Sequence, residues 1–224
     1  MFRFIGSFFK RYPHWKMLLY WLAYGLAFEL LEWAAKPAFY HEMYCSFDDK
    51  IPFMEIFIIP YYWWFAALIW IHVYTFFKEP EVFKKLMVYV MCTQTIAVLM
   101  FVLYPSIQYL RPEVMPRDNI FTDMVSHIYA IDTNTNVCPS LHVIGGVGVW
   151  LAAMQCKNLR SKGSRAYLHI STVLICISTV FLKQHSVIDI YAALIVCLVG
   201  YIAAYSRLFE RLRCRKKQKA GTLL

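Results

Sequence analysis

Six apolar runs, near residues 17–35, 53–77, 85–104, 141–156, 166–182 and 189–206, leave this chain few ways to fold. A bilayer core takes about 20 apolar residues per helix, and the fourth run is short by that measure and the fifth marginal. Polar punctuation separates the runs, with no low-complexity linker and no stretch that reads as a soluble domain. With 60% hydrophobic and only 17% charged residues, the chain is too apolar for an ordinary soluble domain. The expectation is a single all-α integral membrane domain over 1–224, a polytopic helix bundle of about six transmembrane helices.

The cations decide orientation. A net charge of +9 would suit nucleic acid, but the basic residues sit at the ends of apolar runs, including the tail Arg211, Arg213, Arg215, Lys216, Lys217 and Lys219. That placement fits an anionic inner leaflet, so no nucleic-acid partner is expected. With six crossings, both termini and the loops around 78–84 and 157–165 share one side and collect most of the Lys and Arg. The other side holds only Lys36, Lys50, Arg111, Arg117 and Lys183. The positive-inside rule then makes the first side cytoplasmic. The resulting reading is a multi-pass cell-membrane protein with both termini inside and the loops 36–52, 105–140 and 183–188 outside.

Residues 1–16 alternate aromatic and basic residues and read as a cytoplasmic interfacial segment. The first apolar run, lacking a cleavage pattern, reads as a transmembrane helix rather than a signal. Residues 207–224 form a basic cytoplasmic tail. The 105–140 connection is long enough to need a job, as a cap, a re-entrant helix or a mobile loop. The seven cysteines are scattered without C-x-x-C spacing and read as packing residues, with a Cys45–Cys138 disulfide as the alternative for that pair.

The outer loops hold nearly every unusual polar group. His185 and Asp189 are four apart, so on one helical face the carboxylate can bind one imidazole nitrogen and leave the other as nucleophile or base. Ser140 stands at an N-cap position before the fourth run, where free amides and the helix dipole favour a phosphate. His142, just inside that helix, is placed to protonate a leaving oxygen. Arg111 and Lys183 supply fixed positive charge. Each residue alone has a bland reading, an interfacial histidine or a snorkelling arginine. Together they are the parts of an in-line phosphoryl transfer.

Arg111-Pro112, Pro139-Ser140-Leu141-His142, and Ser178-Thr179 followed after five residues by His185 and after three more by Asp189, resemble the three-part signature of the type-2 phosphatidic acid phosphatase superfamily. That signature reads Lys-x6-Arg-Pro, Pro-Ser-Gly-His and Ser-Arg-x5-His-x3-Asp. The resemblance covers the last three helices and the loop before them. It implies that His185 attacks phosphorus to form a phosphohistidine, Asp189 orients it, and His142 protonates the leaving group. Arg111 and Ser140 would hold phosphate oxygens, and Pro139, Lys183 and Tyr104 complete the expected substrate-binding set. It further implies a lipid-phosphate substrate and no metal or other cofactor. Three positions depart: Tyr104 stands for the first Lys, Leu141 for Gly and Thr179 for Arg. Two phosphate-holding cations are therefore missing, and Lys183, a helical turn beyond Thr179, is the candidate replacement. The Pro-Ser-Leu-His form is similar to the branch containing inositol phosphorylceramide synthases. The leading expectation is a lipid phosphate phosphatase, with a phospho-headgroup transferase as runner-up and a non-catalytic phospholipid binder or transporter as the reading from another class.

Secondary candidates carry paired readings. Glu29 and Glu32 lie in the first run and either bind a polar headgroup or reach a partner or the interface. Gly145, Gly146 and Gly148 read as close-packing positions, with a phosphate-cradling role open only to Gly145. Asp123, His127 and Asp132 belong to a solvated loop or a substrate entrance, and Tyr61-Tyr62-Trp63-Trp64 to packing or an interfacial belt.

Overall fold

The computed structural model describes residues 7, 9–34 and 37–206, with residues 33 and 34 in backbone only. A 3-10 segment, Pro13–Leu18, runs into α1 (Leu19–Glu29) and then into a π turn, Leu30–Ala34. After the short strand β1 (His41–Glu42) come α2 (Ile58–Lys78) and α3 (Pro80–Leu103). Strand β2 (Ser106–Ile107) and α4 (Ile120–Ile131) follow, then α5 (Leu141–Gln155), α6 (Lys162–Phe181) and α7 (Val187–Tyr205).

Four of these segments, containing α2, α3, α6 and α7, are long and apolar enough to cross a membrane. The two further crossings expected from the sequence take different forms. The fourth run folds as α5, whose 15 residues reach about 22 Å against a core of about 30 Å. The first run is continuous in helical backbone but changes from 3-10 to α to π geometry, and α1 buries none of its residues. The basic tail, and residues 1–6 and 8 of the N-terminal interfacial segment, lie outside the described residues.

Local chemistry sets the boundaries. Glu79 separates α2 from α3, with Lys78 closing one helix and Pro80 opening the next, the positions where a cation and a proline fit best. Asn119 and Thr122 form a capping box that starts α4, and Ser186 and Asp189 form another that starts α7. Outward faces are apolar: Leu26, Ile69 and Ile195 are each 67–68% exposed. In water such a surface would be an aggregation liability, whereas against acyl chains it costs nothing. Inside, the buried Tyr89 hydroxyl of α3 donates to the Ile144 carbonyl at 3.0 Å and reaches Cys197 Sγ at 3.1 Å, pinning α3 to α5 and α7. A Cβ on Gly148 would stand 2.8 Å from the Tyr89 ring and one on Gly145 2.6 Å from Trp64 Nε1, so both glycines serve close packing.

The three connections expected outside gather at one end of the bundle. β1 pairs in parallel with β2, His41 opposite Ser106, and Ile107 bridges to Thr135. Lys183 Nζ donates to the Asp48 carbonyl at 2.7 Å, and the Met54 amide to the Phe181 carbonyl at 3.0 Å. The 105–140 connection is thus an ordered cover containing β2 and α4. Arg117 and Asn119 hold it to Glu55, in the 3-10 turn Glu55–Phe57 that leads into α2, with Arg117 Nε 2.6 Å from Oε1 and Asn119 Nδ2 3.0 Å from the same oxygen.

Candidate active site

The start of α7 builds the first half of the site. Asp189, fully buried in the first turn, turns Oδ2 back to the Ser186 amide at 3.0 Å and to His185 Nδ1 at 3.2 Å. His185 therefore sits just before the helix, its backbone held by the Thr179 carbonyl at 3.2 Å. A carboxylate on Nδ1 fixes the tautomer with its lone pair on Nε2.

The start of α5 supplies the second half. Ser140 is the N-cap, fully buried, its hydroxyl accepting from the Val143 amide at 3.5 Å. Its own amide donates to the Asp189 carbonyl at 3.2 Å, which ties the first turns of α5 and α7 together. His142 lies one residue into α5, 7% exposed, wedged against Tyr61 and Trp64 with ring centroids at 4.2 and 4.3 Å. Neither of its ring nitrogens has a protein partner, a costly arrangement for a buried group. Its ring centroid is 5.9 Å from that of His185, so one tetrahedral group can meet both imidazoles at reacting distances of about 3–3.5 Å.

Both histidines line a cavity of about 40 Å³, together with Gln184, Asp132, Thr133 and Asn136. Such a space holds about three waters, the scale of one phosphoryl group rather than a whole headgroup. The amides of Leu141 and His142, at the first helical positions of α5, have no intrahelical partner by position, and both residues line the cavity.

Arg111 reaches the site indirectly. Its guanidinium lies over the Tyr129 ring, 4.5 Å from the centroid. Nη1 donates to the Tyr129 carbonyl at 3.2 Å, and Nη2 to the Asp132 and Thr133 carbonyls and to Gln184 Oε1. Burial holds its pKa below the usual value, with Asp132 acting in the opposite sense. Lys183 points to the Asp48 carbonyl and does not line the cavity; burial lowers its pKa, opposed by Asp48 and Asp49. Thr179 is fully buried and spends its hydroxyl on the Cys176 carbonyl. Tyr104 is stacked on His41 at 3.7 Å, away from the cavity lining. Pro139 follows a cis peptide bond to Cys138 directly before the cap. Cys45 and Cys138 are free, so the disulfide alternative is corrected. Burial, then the Asp189 carboxylate, pushes the Cys138 thiol up to about 12, which keeps it protonated.

Three participants carry no sequence motif. Asp48, 2% exposed, accepts from Ser186 Oγ at 2.6 Å, from the Val187 amide at 2.9 Å and from the Cys45 amide at 2.8 Å, clamping the first outer loop onto the start of α7. Glu32 accepts from Thr133 Oγ1 and from Asn136 Nδ2, 2.8 Å away, at the rim of the cavity. Gln184, 3% exposed, bridges Arg111 to the cavity. Only Glu32 gave a signal in sequence, as an acid inside an apolar run.

No protein-family profile matches this chain, and neither curated protein sequences nor solved structures give a match.

Proposed function

We propose that this chain is a membrane-embedded phosphoryl-transfer enzyme acting on lipid phosphates through a phosphohistidine on His185, of the kind found in the type-2 phosphatidic acid phosphatase superfamily. The observation that carries the reading is the His185–Asp189 pair facing the unpartnered imidazole of His142 across a cavity of phosphoryl size. His185 Nε2 attacks phosphorus, the bond from phosphorus to the lipid oxygen breaks, and His142 delivers its proton to that oxygen. Water then attacks the phosphohistidine, the P–N bond breaks, and the proton lost by water returns to His142. Asp189 stabilises the positive charge on His185 as the bond forms. No resident metal or cofactor enters this scheme.

A second reading, transfer of a phospho-headgroup to an alcohol, is favoured by the Asp132 carboxylate in the cavity lining, which offers an acceptor to a hydroxyl group. The class most distant from both is a phospholipid binder or transporter without chemistry. In the membrane, the reading places six crossings, with the first run and α5 joining the four long helices. Both termini then face the cytoplasm and the cavity opens on the other side.

The test is a panel of lipid phosphates labelled on phosphorus, quenched during turnover, with the adduct located by mass spectrometry. Wild type should carry acid-labile label on His185, and His185→Ala none. A wild-type chain that releases phosphate or exchanges headgroups without labelling His185, or that does neither on any lipid, removes the enzymatic proposal.

A further inference from the structure

The phosphoryl-sized cavity is bordered by acids, and among the described residues no lysine or arginine lines it. Arg111 reaches it only through Gln184: its Nη atoms are spent on three backbone carbonyls and on Gln184, and its Nε, buried without a partner, belongs to a residue outside the cavity lining. Lys183 is spent on Asp48. Asp132 lines the cavity, Glu32 grips Thr133 and Asn136 of its wall, and Asp189 backs His185.

Besides the two histidines and the first-turn amides of α5, the side chain that remains to meet an oxyanion is Gln184. Arginine is a donor only, so its bond to Gln184 obliges the amide to turn its oxygen to Arg111 and its nitrogen the other way. That nitrogen, Nε2, is buried, has no protein partner, and belongs to a residue lining the cavity beside His142 and His185. A buried amide donor left without an acceptor costs about 1–3 kcal/mol, and a bound oxyanion removes that cost.

We propose that Gln184 is the oxyanion donor of this site, held in place by Arg111, and that the cavity selects a singly charged phosphodiester over a phosphomonoester. A monoester carries a charge of about −1.5 to −2 at neutral pH, which three nearby carboxylates oppose and one guanidinium, set back behind Gln184, offsets poorly. A diester carries a single charge, suited to a neutral amide, the first-turn amides of α5 and a distant cation. The chemistry of the two histidines is unchanged.

This inference rests on the cavity assigned above, and its test reads binding rather than turnover. The purified full chain in detergent micelles is titrated with dimethyl phosphate and separately with inorganic phosphate, following broadening of the phosphorus NMR line. Gln184→Ala, Gln184→Glu and Gln184→Lys are compared with wild type, all sharing the same basic tail, so non-specific anion binding cancels. Wild type should bind dimethyl phosphate more tightly than inorganic phosphate. Gln184→Ala should weaken the diester about tenfold or more, the scale of a hydrogen bond to a charged group. The near-isosteric Gln184→Glu keeps the Arg111 contact and should weaken both anions further, serving as the control should the alanine variant fold poorly. Gln184→Lys should reverse the preference. Equal or tighter wild-type binding of inorganic phosphate, or diester affinity unchanged in both Gln184→Ala and Gln184→Glu, overturns the proposal. Selective diester binding without any His185 adduct would remove the enzymatic reading and leave this one. An adduct with no role for Gln184 would do the reverse.

Discussion

Asp189 presents one oxygen to both the His185 ring and the Ser186 amide, and a single substitution separates those duties. In Asp189→Asn the side-chain oxygen still caps the helix, but it cannot serve both donors, and the new amide cannot accept from His185 Nδ1–H. The ring is then free to take the other tautomer, with Nε2 protonated and no longer nucleophilic. We expect turnover to fall by about 10²–10⁴-fold while the melting temperature moves little. Equal loss of stability and activity would mean that the carboxylate is structural first. Spacing in the sequence was enough to expect the His185–Asp189 contact, but it forms with His185 just before the N-cap Ser186 rather than on one face of the helix. It was not enough for Gln184, since a glutamine before a histidine has no period of its own, and its role exists only once Arg111 has been turned by the Tyr129, Asp132 and Thr133 carbonyls.

At the scale of elements, the site is a junction of two helix N-termini, and the residue that fixes the junction comes from a loop far away in sequence. Asp48 caps α7 from 138 positions upstream, through Ser186. In the sequence it belongs to an Asp-Asp-Lys stretch that reads as a solvated connection, so nothing local marked it. Asp48→Ala leaves the Cys45 and Val187 amides and the Ser186 hydroxyl without their acceptor. Hydrogen bonds to a charged group are worth about 1.5–3 kcal/mol each, and because the Cys45 and Val187 amides are only partly buried and water can re-pair them, a net loss of about 3 kcal/mol is expected. The check is the shift of the melting temperature in detergent, with Asp49→Ala, a neighbour that is exposed and bonded to Tyr44, as the reference that should move far less. The helices themselves were the most legible part of the chain: α2, α3, α6 and α7 begin and end within a few residues of their apolar runs. The first run was not, because hydropathy alone does not distinguish an α-helix from one that passes through 3-10 and π geometry to bring Glu32 to Thr133 and Asn136.

For the whole molecule, two independent lines meet. Charge counting put the loops 36–52, 105–140 and 183–188 on one side, and side-chain and backbone contacts join those same loops at one end of the bundle, through β1–β2, Lys183–Asp48 and Gln108–Lys183. At the opposite end the Lys157 amide donates to Glu79 Oε1 at 3.0 Å and His14 Nε2 to the Phe76 carbonyl at 3.0 Å. The ends are therefore distinct surfaces, one neutral to acidic over the cavity and one basic. If the basic end faces the cytoplasm, a cysteine introduced at Glu113 in the outer cover should react with a membrane-impermeant maleimide in sealed, right-side-out vesicles. A cysteine at Arg160, between α5 and α6, should react only after the vesicles are opened. Both substitutions belong in a background in which the native cysteines that react with the reagent have been replaced. Labelling of both sites in sealed vesicles, or the reverse pattern, would refute the six-crossing orientation. An even number of crossings between the two tested loops would put them on the same side, so the experiment also decides whether α5, at 15 residues, crosses the bilayer. A short helix can do so if the bilayer thins around it or its flanking residues reach outward, and His142, at its capped start, would then lie below the membrane surface, where a lipid's phosphate can meet it without leaving the bilayer.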